Sequence, residues 1–438
     1  MNLSKTAGLG ELSAKVIRGW AILLFLVISG SLWIGFACDT FFATDGSYYF
    51  TIILDNARFT NIAPARAHAE WMTQWPLVLG VKSGITDLGM LEVLFGLGIW
   101  FPWVLSFAIS LYATRERPEL IFVMLISFVS LNLAAWALVY GEHMVLLSVA
   151  WPILFLAILR RPLNVLEQGL LLFLLVVHLK LYETTVISGA FFAVILGFRV
   201  WLNREPRERV MNTLFLCLAI ASAAIALTWI LFPRDADNRS GFLGAILGSL
   251  AHPYPWIGMS FVGFSAAGLL LQSKKLLKLA WLVPLVIGLI SLPAWGVNAG
   301  VSFFTRTLTL TALPLLLMTA LVMSFLEIRM NRHWMMMTAS LVVGVSLLHV
   351  RHLQGWLGFR SDFKEILKSE EGLVNPADHD DIVHWGWTNT VLSYVWSEGE
   401  VQSVILNPES TTWNPFDPGT EVLMSKYLKS QPAFVKEK

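Results

Sequence analysis

Apolar residues recur along the chain in runs of about 20, enough for a helix to cross a hydrocarbon layer of roughly 30 Å, and the polar punctuation between them is short. The runs fall at Ile17–Ala37, Gly89–Ala113, Leu120–Val139, Met144–Leu159, Leu163–Val177, Thr184–Val200, Val210–Phe232, Trp256–Leu271, Leu279–Trp295, Leu308–Leu326 and Trp334–Leu348. Each predicts a spanning helix, which makes the chain an all-α polytopic membrane protein with about eleven transmembrane helices. The first run exceeds the usual signal-peptide core and no A-x-A-like site follows it, so it reads as a retained anchor.

Basic residues then orient the helices. Lys5, Lys15 and Arg18; Arg115 and Arg117; Arg160 and Arg161; Arg199, Arg204, Arg207 and Arg209; Lys274, Lys275 and Lys278; and Arg329 and Arg332 occupy every second loop. Cytoplasmic loops collect Lys and Arg, so the N-terminus is expected in the cytoplasm of a cell (inner) membrane. An odd number of spans puts the stretch after Arg351 outside.

Two outer regions are too long to be connectors. Residues 38–88 contain Asp55–Arg58 and Ala63–Trp71 with helical spacing, and Trp71, Met72 and Trp75 suit amphipathic helices lying flat on the membrane. Residues 351–438 hold an amphipathic stretch, Asp362–Lys368, and an alternating β-prone run, Val401–Leu406, as in a small extracytoplasmic α/β C-terminal domain. The division is thus a membrane module over 1–350 and an outer domain over 351–438. Aromatic loops at His384–Thr388 and Thr412–Pro418 either cap a small core or stack on sugars or lipids.

Composition agrees with a lipid solvent: 56% of residues are hydrophobic, 14% are charged, and mean hydropathy is +0.65. A net charge of +1 gives no footprint for nucleic acid. Cys38 and Cys217 belong to different depths, so no disulfide or metal motif is expected. Walker A, GxGxxG, HExxH and GxSxG patterns are missing from any plausible context, which leaves nucleotide hydrolysis, dinucleotide redox chemistry and zinc proteolysis without support.

The most informative segment is Asp39-Thr-Phe-Phe-Ala-Thr-Asp45-Gly-Ser-Tyr-Tyr49, which leaves the first run directly into the outer loop. A partly desolvated carboxylate at the membrane boundary can take a proton from an attacking hydroxyl. The plainer alternative is a helix-end Asp39 and a simple Asp-Gly turn at Asp45.

The order of one spanning helix, an outer loop with Asp followed by Tyr-Tyr, and a helical stretch resembles the GT-C superfamily of membrane glycosyltransferases, such as protein O-mannosyltransferases and aminoarabinose transferases. Thr73-Gln-Trp-Pro-Leu77 stands where many members have a His-Pro-Pro-Leu-like turn, and Phe304–Arg306 through Leu313-Pro-Leu315 resembles their late Arg-Tyr…Pro helix start. The resemblance implies a GT-C-like fold, Asp45 as base and Asp39 as a second acidic candidate. It also implies a polyprenyl-phosphate-linked sugar donor and transfer with inversion. The family usually shows two adjacent acidic residues where this chain has Asp45-Gly46. Asp39 and Asp45 could share a divalent metal ion, but the chain has no Asp-x-Asp pair there.

Charged residues at the outer ends supply further candidates, since such groups are costly in lipid. Arg58, Lys180 and Arg306 could hold a carrier phosphate, and Glu142 or His143 could orient an acceptor hydroxyl. His252 precedes a Pro-Tyr-Pro-Trp turn on the same side. Each could equally mark a helix end in the headgroup layer. The expected function is a membrane glycosyltransferase with a glycan or glycolipid acceptor. A secondary transporter, a lipid flippase or a non-catalytic glycan-assembly subunit is the alternative.

Overall fold

The computed structural model describes residues 13–42, 45–60, 64–133, 142–203, 205–232, 301–328, 332–379, 388–397 and 402–406, with isolated positions between 256 and 279. The elements are α1 (Ala14–Ala37), α2 (Asp45–Asn56), α3 (Ala67–Lys82), α4 (Leu88–Ala113), α5 (Ile121–Ser127), α6 (Glu142–Ala157), α7 (Val165–His178), α8 (Thr185–Leu202), α9 (Pro206–Leu231), α10 (Val301–Phe325), α11 (Arg332–Ser369), β1 (Gly372–Val374), α12 (Thr388–Trp396) and β2 (Ser403–Ile405). Among the described residues, five helices are long and apolar enough to cross a membrane: α1, α4, α8, α9 and Trp334–Ser369 within α11. Shorter apolar helices include α6, α7 and Ala312–Phe325. The chain therefore has the helical make-up of a membrane protein. The predicted spans Trp256–Leu271 and Leu279–Trp295 lie outside the described residues, as does the end of Leu120–Val139.

Local chemistry explains where the helices start. Asp87 Oδ1 accepts the Met90 N–H at 2.7 Å to cap α4, and Asn164 and Glu167 form a reciprocal capping box at α7. Pro206 opens α9 at the one position where a missing N–H costs nothing. After α5, residues Phe128–Leu133 continue as a π-helix.

The arginines that alternate along the sequence gather at one end of the helices. Arg199 Nη1 donates to the carbonyls of Leu156 and Ala157 at the end of α6 and of Leu159 just past it, and Arg160 Nη2 donates to Ser324 and Phe325 at the end of α10. Glu167 takes both Arg115 and Arg161, at 2.9 and 2.6 Å. These side chains satisfy carbonyls that a helix C-terminus leaves open.

Two apolar cores are stacked along the helix direction. The larger contains Ile28 and Leu32 of α1, Trp103 and Phe107 of α4, most of α6, and Trp334 and Val342 of α11. The smaller contains Phe41, Phe42, Phe50 and Ile53, then Leu91, Phe95 and Ile99 of α4, and Trp356, Phe363 and Leu367 of α11, with the elements that follow. At 1.5 Å per residue the 38 residues of α11 run about 57 Å, nearly twice a hydrocarbon layer. One helix thus carries the chain from the larger core into the smaller, across the division expected near residue 351.

The C-terminal unit is a β–α–β arrangement: β1 pairs parallel with β2, Gly372 opposite Ser403, and α12 connects them. The predicted strand Val401–Leu406 contains β2, whereas β1 gave no alternating signal. Ser393 Oγ of α12 accepts the Ile405 N–H at 3.0 Å, and Ser403 Oγ donates to Leu367 O of α11 at 3.1 Å.

In the stretch expected to lie flat on the membrane, α3 packs along the first half of α4. Glycine allows this: a Cβ on Gly98 would stand 1.9 Å from the Thr73 carbonyl oxygen, and one on Gly80 would meet Leu94 at 2.5 Å. Gly98→Ala meets backbone rather than a flexible side chain, so it should cost at least the ~1–3 kcal/mol of core overpacking. Thermal unfolding in detergent is the check, and an unchanged Tm would show that α3 and α4 are not so closely packed.

Candidate functional site

At the junction of the two cores lies a buried charged centre. Ser106 of α4 donates its hydroxyl to the Ser148 carbonyl of α6, which sets the two helices side by side. Glu142 lies six residues before Ser148, about 9 Å away along α6. It opens α6, where the helix dipole favours a carboxylate, yet only 3% of it is exposed. Tyr49 of α2 donates its hydroxyl to Glu142 Oε1.

Arg66 supplies the opposing charge. It ends the short turn Pro64–Arg66 before α3, and its Nη1 stands 3.5 Å from Glu142 Oε2. Its Nε and Nη2 both reach Glu183 Oε1 at 3.0 Å, and the guanidinium lies over the Tyr182 ring, 4.9 Å from its centroid. Burial opposes a charge here, but Glu142 and Glu183 outweigh it and hold the Arg66 pKa above its ordinary value.

The turn that carries Tyr182 and Glu183 is held from several sides. His68 donates its backbone N–H to Lys180 O at 3.0 Å and, from Nδ1, a second hydrogen bond to Val177 O at 2.9 Å. His178 is buried between Ser188 and Ser222, with ring nitrogens 2.9 and 2.7 Å from their hydroxyls. Gly189 lets α9 approach this region, since a Cβ there would stand 2.9 Å from Ala223 N. Within this ordered turn two buried oxygens, Glu183 Oε2 and Thr184 Oγ1, have no hydrogen-bond partner among the described residues. Buried polar atoms are rarely left so. Glu183 Oε2 belongs to an arginine-bound carboxylate, so it asks for an O–H or N–H donor.

Asp39 does different work from this centre. It adopts φ 63°, the left-handed region that few non-glycine residues occupy. Its Oδ2 receives Arg360 Nη1 at 2.9 Å and the Trp396 indole N–H at 3.2 Å. Burial pushes its carboxyl above the usual range, opposed by Arg360, Trp396 and Lys364.

The remaining candidates are dispersed. Asp45 is the first residue of α2, one turn before Tyr49; its side chain and that of Arg306 in α10 lie outside what is described, as does His252 entirely. His143 is 4% exposed, its ring 6.3 Å from Tyr182. Lys180 is half-buried in the 178–185 turn, and Arg58 is exposed in the bend after α2. The sequence reading missed Arg66, although a cation amid Ala63, Ala65, Ala67 and Ala69 is a signal that a charge has been placed against small neighbours. Among the described residues, no three His, Cys, Asp or Glu are grouped as metal ligands. Comparison with family models, curated proteins and solved structures finds no match to this chain.

Proposed function

We propose that the chain is a GT-C-like membrane glycosyltransferase with about eleven spans, moving a sugar from a polyprenyl-phosphate carrier to a glycan or glycolipid on the extracytoplasmic side. The arginine-rich end would face the cytoplasm, and the N-terminus with it. The C-terminal unit would then lie outside. One observation supports this above the others: an ionic centre around the buried Glu142, beside two oxygens with no partner among the described residues, is tied through Tyr49 to the helix that begins with Asp45. Buried charge at membrane depth is expensive and is kept where it does work.

In this reading Asp45 takes the proton of the acceptor hydroxyl as its oxygen attacks the anomeric carbon. The bond from that carbon to the carrier phosphate breaks, and the phosphate leaves with the electron pair. Arg58, Lys180 and Arg306 are the candidate cations for the departing phosphate. Glu183 Oε2 and Thr184 Oγ1 would take sugar hydroxyls, and Glu142 would hold α2 in place.

Membrane extracts of a deletion strain should accumulate the polyprenyl-phosphate sugar, and the wild-type chain should clear it. A buried ionic centre also suits a secondary transporter. Unchanged lipid-linked sugars, together with altered uptake or lipid flipping, would select that reading.

A further inference from the structure

The buried stripe of α11 beyond the larger core runs Leu353, Trp356, Phe363 and Leu367. Arg360 occupies the same stripe, four residues after Trp356 and three before Phe363, where helical spacing calls for another apolar side chain. A cation set there needs a fixed partner, and it has one in Asp39. The Trp396 ring, 5.8 Å from Trp356 and 5.3 Å from Phe363, closes over the pair, with the Arg360 guanidinium 5.6 Å from its centroid. Trp356 donates its indole N–H to the carbonyl of Cys38 at 2.6 Å. Two consecutive residues at the end of α1 are therefore gripped by α11 and α12.

Close backbone contacts tie Asp39 to α2. Asp39 O accepts the Phe42 N–H at 3.1 Å, which starts the tight turn Thr40–Phe42. The Phe41 carbonyl then lies against the backbone of Gly46, because a Cβ on Gly46 would stand 1.6 Å from that oxygen. Past Gly46, Tyr49 is fixed on Glu142. The start of α2 is thus determined from one side by the C-terminal unit and from the other by the buried ionic centre.

We propose that Arg360 and Trp396 are positioning residues, which hold Asp39 and through it set where Asp45 stands. The proposal rests on the transferase reading, and it makes the extramembrane unit part of the catalytic arrangement. Asp39 is then a positioning residue and Asp45 the base.

The test uses the full chain with Cys217→Ser, which leaves Cys38 as its one thiol. Arg360→Met should speed labelling of Cys38 by a membrane-impermeant maleimide roughly 10-fold as the grip opens. Misplacement of the base should lower kcat by about 10–100-fold with donor KM nearly unchanged. Arg360→Lys, which keeps the charge, should retain a large part of kcat and serves if Arg360→Met does not accumulate. The reversed pair Asp39→Arg with Arg360→Asp should recover activity that Asp39→Arg alone loses. Faster labelling of Cys38 with wild-type kcat, or no change in labelling at all, would overturn the positioning role. A wild-type protein without transfer activity removes the transferase reading and this role together, while the labelling contrast still reports whether Arg360 holds Asp39.

Discussion

Asp45→Asn should lower sugar transfer by roughly 10²–10⁴-fold, because the amide keeps the shape and hydrogen-bonding reach of the carboxylate but cannot take the acceptor proton. Protein level should hardly change, since losing one charge in a helix's first turn costs only about 0.3–1 kcal/mol. Asp45 opens α2, which is fixed by Tyr49 on Glu142 and by Phe41 against Gly46. Read from the sequence alone, Asp39→Asn looks like a matched control at the same boundary. The structure changes that comparison, because Asp39→Asn weakens the Arg360 pair and should act through the position of α2. The two variants should therefore differ in kind: loss of a proton acceptor at Asp45, with donor binding intact, and partial, charge-rescuable loss at Asp39. Normal complementation by Asp45→Asn would sink the base assignment.

Arg66→Met should destabilise the protein. It takes the guanidinium from the buried Glu142 and the half-buried Glu183; breaking a fully buried pair from one side costs about 3–5 kcal/mol, and partial exposure of Arg66 and Glu183 sets the expected loss below that, at about 2 kcal/mol. Yield and Tm in detergent should both fall. The combined variant Arg66→Met, Glu142→Gln, Glu183→Gln removes the uncompensated charge and should recover much of the stability, since ionic contributions within one cluster are not additive. Transfer activity should not return with it if the centre receives substrate hydroxyls. A single Arg66→Met protein as stable as wild type would mean that the two carboxylates do not depend on Arg66.

The sequence by itself determined the solvent of this chain and most of its helices. The runs at Ile17–Ala37, Gly89–Ala113, Thr184–Val200 and Val210–Phe232 reappear as α1, α4, α8 and α9 within a few residues. Hydrophobic length is a property of a local segment and needs no knowledge of its neighbours. The same holds for the strand near Val401–Leu406, which contains β2. Tertiary structure alone decided which charges meet. Arg66 and Glu183 are separated by 117 positions, Tyr49 and Glu142 by 93, and Trp396 and Asp39 by 357. No periodicity relates residues so distant. Local pattern leaves a charged residue two equally good places, the headgroup layer or a buried partner, and only packing chooses between them. Arg58 remains exposed and Arg66 is half-buried against Glu142 and Glu183 for that reason, although the two are only eight residues apart.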